Sequence, residues 1–400
     1  MLRLVPEEIL SKLTNIPTIL VGGTNGKGTT CALLEKSIRD AGYSTALYTS
    51  PHLVSPTERI RLDGHPISRS DFFETARKVF TDAQANLTDA TFFELVTATA
   101  LHMVANRNPD AFVCEVGLGG RFDSTNVLTP TVSILTSIGL DHTEWLGDTE
   151  EKIGFEKIFI SRRNRKIFIG NVSVEARQGI ERGLEITGGI PQFVTAPERA
   201  DIPRDIPIQA FGICGEVLNH LGKMTRVHVL PDQLQKAALA MQWPGRLDLR
   251  AVNGTPILLD GAHNSHGLKF FLDESQARPK IKLLPKPWFV VFASLQDKDW
   301  KNCLQLLIPH AKNCVLTQTQ STRAVSVNEL LKYTESIAAS DRCLTIETSA
   351  EALDHALSLA SKANGTLVVL GSLTLVGEAL EHFDLPVFTE FESGVRCNSG

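Results

Sequence analysis

One segment, Ile19-Leu20-Val21-Gly22-Gly23-Thr24-Asn25-Gly26-Lys27-Gly28-Thr29-Thr30, limits what this chain can fold into more than any other. An apolar run stops at four glycines within seven residues, a lysine stands among them, and apolar residues at three- and four-residue spacing follow over 29–41. That order predicts a strand, a tight turn and a helix. Glycines let successive backbone N–H groups turn toward an anion, the helix adds the positive end of its dipole, and Lys27 supplies a mobile point charge for terminal phosphates. Thr29 or Thr30 would then be placed to meet Mg²⁺. Gly28 stands between the lysine and the hydroxyls, so the spacing departs from the strict G-x-x-x-x-G-K-[ST] pattern. Glycine clusters also make plain surface turns, but the lysine inside this one and the elements on either side favour an anion cradle.

A strand feeding a helix through such a turn is the unit of an α/β sheet, and the rest of the chain repeats it. Apolar runs bounded by turn residues at 18–21, 111–116, 132–136 and 167–170 are continuous enough for parallel strands buried on both faces. Segments 29–41 and 92–105 carry the spacing of crossover helices. A second series follows Trp243-Pro244-Gly245, with runs at 257–260, 288–293, 314–317, 343–347 and 366–370 and helical stretches at 327–338 and 350–360. Proline followed by glycine ends both kinds of regular structure, so a hinge is expected near residue 244, dividing domains 1–243 and 244–400. At 400 residues the chain is too long for one ordinary core, which fits two. Pro191, Pro197, Pro203 and Pro207 are expected to interrupt any long element between 171 and 240.

Forty Lys and Arg against 45 Asp and Glu leave a formal charge of -5. That is no basis for neutralising a nucleic-acid backbone or an anionic membrane. No uncharged apolar run approaches the roughly 20 residues of a bilayer-spanning helix. The start, Met1-Leu2-Arg3-Leu4-Val5-Pro6-Glu7-Glu8, turns acidic too early for a secretory signal, so a cytoplasmic protein is expected. Cys31, Cys114, Cys214, Cys303, Cys314, Cys343 and Cys397 lie far apart and never form a CxxC pair. They read as small buried hydrophobes or reduced thiols, with no disulfide framework and no thiolate metal site.

Polar groups gather where the strands are expected to end: Thr49-Ser50-Pro51-His52-Leu53, Thr57-Glu58-Arg59-Ile60-Arg61, the stretch from Glu115 to Asn126, and Leu140-Asp141-His142. In an open parallel sheet, ligands bind beyond the carboxyl ends of the strands. Glu115 and His142 would therefore converge beside the glycine turn and share a metal ion with Ser50. Oxygen donors suit Mg²⁺; a histidine is a less usual ligand that needs a negative neighbour. Taken singly, each has a plainer role: Ser50 capping the turn before Pro51, Glu115 pairing with Arg121, His142 as a loop histidine.

The segments Gly23-Thr24-Asn25-Gly26-Lys27-Gly28-Thr29, Thr49-Ser50-Pro51-His52-Leu53, Glu58-Arg59-Ile60-Arg61, Glu115-Val116-Gly117-Leu118-Gly119-Gly120-Arg121, Asp123-Ser124-Thr125-Asn126-Val127, Leu140-Asp141-His142-Thr143, Pro244-Gly245-Arg246-Leu247 and Asp260-Gly261-Ala262-His263-Asn264 occur in an order that resembles the folylpolyglutamate synthase and dihydrofolate synthase family of the Mur-ligase superfamily. The resemblance runs nearly end to end. It implies a P-loop-type, parallel-sheet ATPase domain followed by a smaller Rossmann-like α/β domain. It also implies ATP-dependent joining of L-glutamate to dihydropteroate or folate through an acyl phosphate, in a monomer that is bifunctional.

Carried over by position, Asn25, Gly26, Lys27, Gly28 and Thr29 would hold the ATP phosphates and Ser50, Glu115 and His142 the Mg²⁺, with Lys27, Lys157 and His142 at the chemistry. Arg246, Asp260 and His263 would lie on the nucleotide side of the smaller domain, and Asn219 is a lesser candidate for the adenine side. Thr91, Phe92, Phe93 and Glu94, with Phe122, Asp123 and Ser124, correspond to the pterin-binding stretches, where a ring and a carboxylate suit a flat, hydrogen-bonding heterocycle. Lys157 falls where the family carries a lysine carbamylated by CO₂; otherwise it reads as a helix-surface lysine pairing with a glutamate. The chain departs from the family at Ile158-Phe159, where Ala-Gly is usual, and at Ser265, where proline is usual. Two other readings stand beside the ligase: a family member that binds nucleotide or pterin without turnover, and a superfamily ligase acting on a cell-wall precursor.

Overall fold

Runs rich in Val, Ile and Leu pack well on a pleated surface covered from both sides, and they form the centre of each of two sheets. The computed structural model describes residues 4–85, 89–198 and 208–388; Pro203, Pro207 and Cys397 lie outside the described residues. The chain divides into units Met1–Met241 and Gln242–Gly400. In the first, β1 (Thr18–Gly22), β2 (Thr45–Tyr48), β3 (Ile60–Leu62), β4 (His65–Pro66), β5 (Ala111–Glu115), β6 (Val132–Leu135), β7 (Lys166–Ile169) and β8 (Ile190–Phe193) form an eight-stranded sheet in the order β4-β3-β2-β5-β1-β6-β7-β8. From β2 to β8 in that order neighbours pair in parallel, while β2–β3 and β3–β4 are antiparallel. Sequence pattern missed β2, β3, β4 and β8, which are two to four residues long and too short to show a period.

The helix Lys27–Asp40 follows β1, Phe92–Arg107 leads into β5, and Glu150–Lys157 lies between β6 and β7. As expected, no described helix runs through Pro191 or Pro197, and the long elements of this stretch lie on either side of them. Helices Val174–Thr187 and Ile208–Met224 flank them at 14 and 17 residues. Proline is tolerated at element boundaries and on edge strands, and Pro191 sits in the edge strand β8. Each flanking helix has an apolar face to bury: Ala176, Ile180 and Leu184 in one, Ile213, Val217 and Leu221 in the other.

The second unit holds β9 (Asp248–Val252), β10 (Thr255–Leu259), β11 (Trp288–Phe292), β12 (Asn313–Gln318), β13 (Cys343–Thr348) and β14 (Thr366–Leu370) in the order β13-β12-β11-β14-β10-β9. All pairs are parallel except β9–β10. Trp288, Val290, Phe292, Leu316, Val368 and Leu370 anchor its own core. The fold is thus mixed α/β with two sheets dominated by parallel pairs. Among the described residues no helix is long and apolar enough to cross a membrane. The six described cysteines are free thiols, five of them buried and Cys343 half-buried.

Candidate active site

The glycine turn in the first unit joins β1 to the helix Lys27–Asp40. Gly26 occupies the helix N-cap in the left-handed region (φ 82°, ψ -2°), and no side chain caps the helix. Its first N–H groups are therefore left to the surroundings, the arrangement an anion completes. The turn is fastened to the end of β6. Thr24 N donates to Ser137 O (2.8 Å), Asn25 N to Ser137 Oγ (3.1 Å), and Thr136 Oγ1 to Asn25 O (2.7 Å). Gly23 has φ 138°, and a Cβ there would stand 2.0 Å from Thr136 Oγ1, so only glycine fits. Lys27 Nζ folds back onto Gly23 O (3.1 Å) and Thr24 O (3.2 Å). Of the two threonines left open by sequence, Thr30 is buried and Thr29 is half-buried at the helix start, which makes Thr29 the hydroxyl nearer solvent.

Lys157 ends the helix Glu150–Lys157, is buried, and donates from Nζ to Gly23 O at 3.3 Å. Two lysines thus meet at one carbonyl of the turn. The bulky Ile158 and Ile160 that follow are buried and accommodated by glycines opposite. A Cβ on Gly183 would lie 2.2 Å from Ile158 Cγ2, one on Gly22 2.8 Å from Ile160 Cδ1, and one on Gly120 3.0 Å from Ile160 Cγ2.

Glu115 ends β5, is buried, and accepts from Ser50 N at 3.2 Å, which brings the loop after β2 to the end of β5. His142 stands beyond β6 at the N-cap of Thr143–Leu146 in the left-handed region, with Asp141 Oδ1 3.9 Å from its Nε2. A hydroxyl, a carboxylate and an imidazole with an acidic neighbour are donors a Mg²⁺ accepts once phosphate oxygens and water complete the shell. Among the described residues no three His, Cys, Asp or Glu gather as a metal cluster.

Thr91 and Glu94 form a capping box on Phe92–Arg107: Glu94 N donates to Thr91 Oγ1 (3.2 Å) and Thr91 N to Glu94 Oε2 (2.8 Å). That backbone bond holds the Glu94 carboxyl below its ordinary range. Phe92 is exposed, while Phe93 lies so close to Gly117 that a Cβ there would sit 2.3 Å from its ring. Phe122 is 85% exposed, the most exposed ring of the group. Asp123 is buried and accepts from Leu118 N (2.8 Å), Thr125 N (2.9 Å) and Thr125 Oγ1; burial pushes its carboxyl up despite these bonds. Ser124, also buried, follows it.

His52 and Arg59 carried no role in the sequence reading. Arg59 is buried, donates from Nε to His52 Nδ1 (2.9 Å) and lies 5.5 Å from the centre of the Phe92 ring. Burial, then the Arg59 charge, lowers His52 to about 4 and leaves it a neutral acceptor. A buried guanidinium with no carboxylate partner among the described residues is the signal that would have found it.

In the second unit Asp260 directly follows β10, is buried, and accepts from Leu247 N (2.7 Å) and Ala262 N (2.8 Å). Burial pushes its carboxyl up, opposed by the charge of Arg246. His263 Nδ1 donates to Gly261 O (2.7 Å), and Asn264 caps the helix Ser265–Ala277 by accepting from Gly267 N (2.7 Å). That cap serves where the family's proline would begin the helix. Asn219 lies on the exposed side of Ile208–Met224.

This architecture and its glycine turn define a Mur-type ligase: the Mur ligase middle domain matches residues 21–186, and the Mur ligase, glutamate ligase domain matches 245–373. The dihydrofolate synthase/folylpolyglutamate synthase of Escherichia coli (strain K12) is 31% identical over 382 residues, spanning 91% of this chain and 86% of that protein. The solved structure of E. coli FolC in complex with DHPP and ADP superposes with a TM-score of 0.81 at 27% identity, covering 95% of this chain and 93% of the other. A bifunctional folylpolyglutamate synthase/dihydrofolate synthase with Mn, AMPPNP and L-glutamate bound gives 0.80 at 25%, covering 94% and 92%. The chain belongs to the dihydrofolate synthase/folylpolyglutamate synthase family.

Proposed function

We propose that this protein is a cytoplasmic, monomeric, bifunctional ligase that uses ATP to join L-glutamate to dihydropteroate and to folyl(poly)glutamate. The observation that carries the reading is the uncapped helix start behind Gly26, with Lys27 and Lys157 both on Gly23 O. A carboxylate is a poor electrophile, so it must first take the γ-phosphoryl group as an acyl phosphate; the glutamate amine then attacks its carbon and phosphate leaves. No nucleophilic side chain is required. The turn's N–H groups and Lys27 neutralise the transferring oxygens, and Asn25, Gly26, Gly28 and Thr29 line that cradle. Ser50, Glu115 and His142 would hold Mg²⁺, which when bound offsets the charge between the two anions.

Lys157 is proposed as a carbamate. Carbamylation keeps one N–H on Nζ, so the bond to Gly23 O survives while the charge changes sign. Arg59 presents its charge beside Phe92 to the acid substrate, whose ring would meet Phe92, Phe93 and Phe122 with Thr91, Glu94, Asp123 and Ser124 fixing the surrounding backbone. In the second unit Arg246, Asp260 and His263 are the nucleotide-side candidates. The folate names of the relatives support this ligase over a cell-wall ligase.

Purified protein given dihydropteroate, L-glutamate, ATP and Mg²⁺ should release ADP only when both co-substrates are present. Nucleotide binding without that dependent turnover overturns the ligase in favour of a non-catalytic binder.

A further inference from the structure

One guanidinium holds the loop of Phe122, Asp123 and Ser124 from behind. Arg162 donates from Nη1 to Phe159 O (3.1 Å) and Ser161 O (3.0 Å), and from Nη2 to Asn126 O (2.7 Å), Asn126 Oδ1 (2.8 Å) and Leu128 O (2.7 Å). All five acceptors are uncharged, and no carboxylate among the described residues pairs with it. Burial and the nearby Arg165 push the guanidinium down from its ordinary range. Keeping a half-buried charge against neutral oxygens is costly unless its donor geometry is what the site needs.

The same seam continues through Arg121. Its N donates to Glu156 O (3.1 Å), its O accepts from Asn126 Nδ2 (3.1 Å), and its guanidinium lies over the rings of Phe122 (5.2 Å) and Phe159 (4.8 Å). Gly120 allows the approach, since a Cβ there would stand 2.6 Å from Lys157 O. The loop 120–128 is therefore fastened along its length to the segment 156–162, and that segment's Lys157 reaches Gly23 O of the phosphate turn.

We propose that Arg162 is a positioning residue for the acid substrate: through Asn126 and Leu128 it sets the loop bearing Phe122, Asp123 and Ser124 against the segment that carries Lys157. It touches no reacting atom itself. The proposal rests on the ligase reading above, and its test separates the two.

Steady-state kinetics with dihydropteroate and ATP varied in turn, together with Tm, provide the test. Arg162→Ala should raise KM for dihydropteroate about tenfold or more while KM for ATP stays within about twofold. Arg162→Lys, whose ammonium can reach fewer of the five oxygens, should recover part of that loss. Asn126→Ala removes one acceptor of Arg162 together with the Nδ2 donor to Arg121 O on the same seam, and should shift KM the same way by less; with Arg162→Lys it decides the matter if Arg162→Ala does not fold. An unchanged KM for dihydropteroate, or both KM values rising in step with a falling Tm, overturns the proposal. If wild-type protein shows no glutamate-dependent ADP release, the ligase reading fails by itself. The positioning role is then decided by equilibrium binding of dihydropteroate, which must weaken in Arg162→Ala and recover in Arg162→Lys or the proposal falls too.

Discussion

Each unit has a strand that ends in a glycine-containing turn and passes into a helix, yet the two turns spend their hydrogen bonds in opposite ways. After β1, Gly26 is exposed, no side chain caps the helix Lys27–Asp40, and two lysines point at one carbonyl. After β10, Asp260 takes the N–H groups of Leu247 and Ala262, Asn264 takes that of Gly267, and Gly261 is sealed so tightly that a Cβ would meet Leu373 at 2.2 Å. The first turn leaves donors and positive charge for an anion; the second consumes its donors internally and buries a carboxylate. Strand-turn-helix geometry alone is therefore no anion site. What decides is whether the chain supplies its own cap.

The sharpest way to break this comparison is Lys27→Ala. If Lys27 balances the transferring phosphoryl oxygens as proposed, its loss should lower kcat/KM by about a hundredfold or more, roughly 3 kcal/mol of transition-state stabilisation. A near-normal rate would remove the lysine from the mechanism. Next in size is Gly23→Ala, whose Cβ would press on Thr136 Oγ1 at 2.0 Å and on Ser137 N at 3.1 Å. Overpacking against backbone should cost more than about 2 kcal/mol in denaturant unfolding and weaken nucleotide binding. Gly42→Ala is the control, because Gly42 has φ 94° with nothing within 4 Å of a Cβ. It should cost only the left-handed strain, about 1 kcal/mol. Equal losses at both positions would mean that contact with β6 does not shape the turn.

The first turn was legible because glycine, lysine and helix periodicity are local properties of sequence, and the helix expected at 29–41 is found at Lys27–Asp40. The second was only half legible. Asp260 was singled out, but its bond to Leu247 N depends on how β9 and β10 pair, and β9 has no period that marks it in sequence. Burial of Ile158 and Ile160 was equally hidden. Residue bulk is visible in sequence, whereas the glycines that receive it, Gly22, Gly120 and Gly183, come from three distant segments. Arg59 and Arg162 stayed unassigned for the same reason: an arginine's role depends on whether a carboxylate lies near, which only the fold decides.

A milder test removes the second turn's own cap. Asn264→Ala should cost about 1 kcal/mol, the usual value of an N-cap side chain, read from denaturant unfolding of the full chain. Kinetic constants for ATP should change less than in the Gly23→Ala variant, since this cap serves its own helix. A loss of ATP turnover as large as that of Lys27→Ala would show that the second turn handles phosphate as directly as the first.

The smallest expected effect is a dependence on pH, and its sign distinguishes a buried carboxyl from an anion-binding turn. Burial raises Asp260 above the ordinary 3.8, with Arg246 opposing. The native state then binds more protons than the unfolded chain over a window that opens near 3.8 and closes at the raised value, so stability falls as pH rises through it. Asp260→Asn never ionises and lacks that fall. The variant should therefore be weaker than wild type by most at the acid end, where the native carboxyl is neutral, and the gap in Tm should narrow toward neutral pH. Calorimetry across that window provides the check. A gap that widens with pH would mean the ionised carboxylate is the stabilised form, held by Arg246 as an ion pair, and the second turn would then be charged and paired where burial predicts a carboxyl that resists its charge.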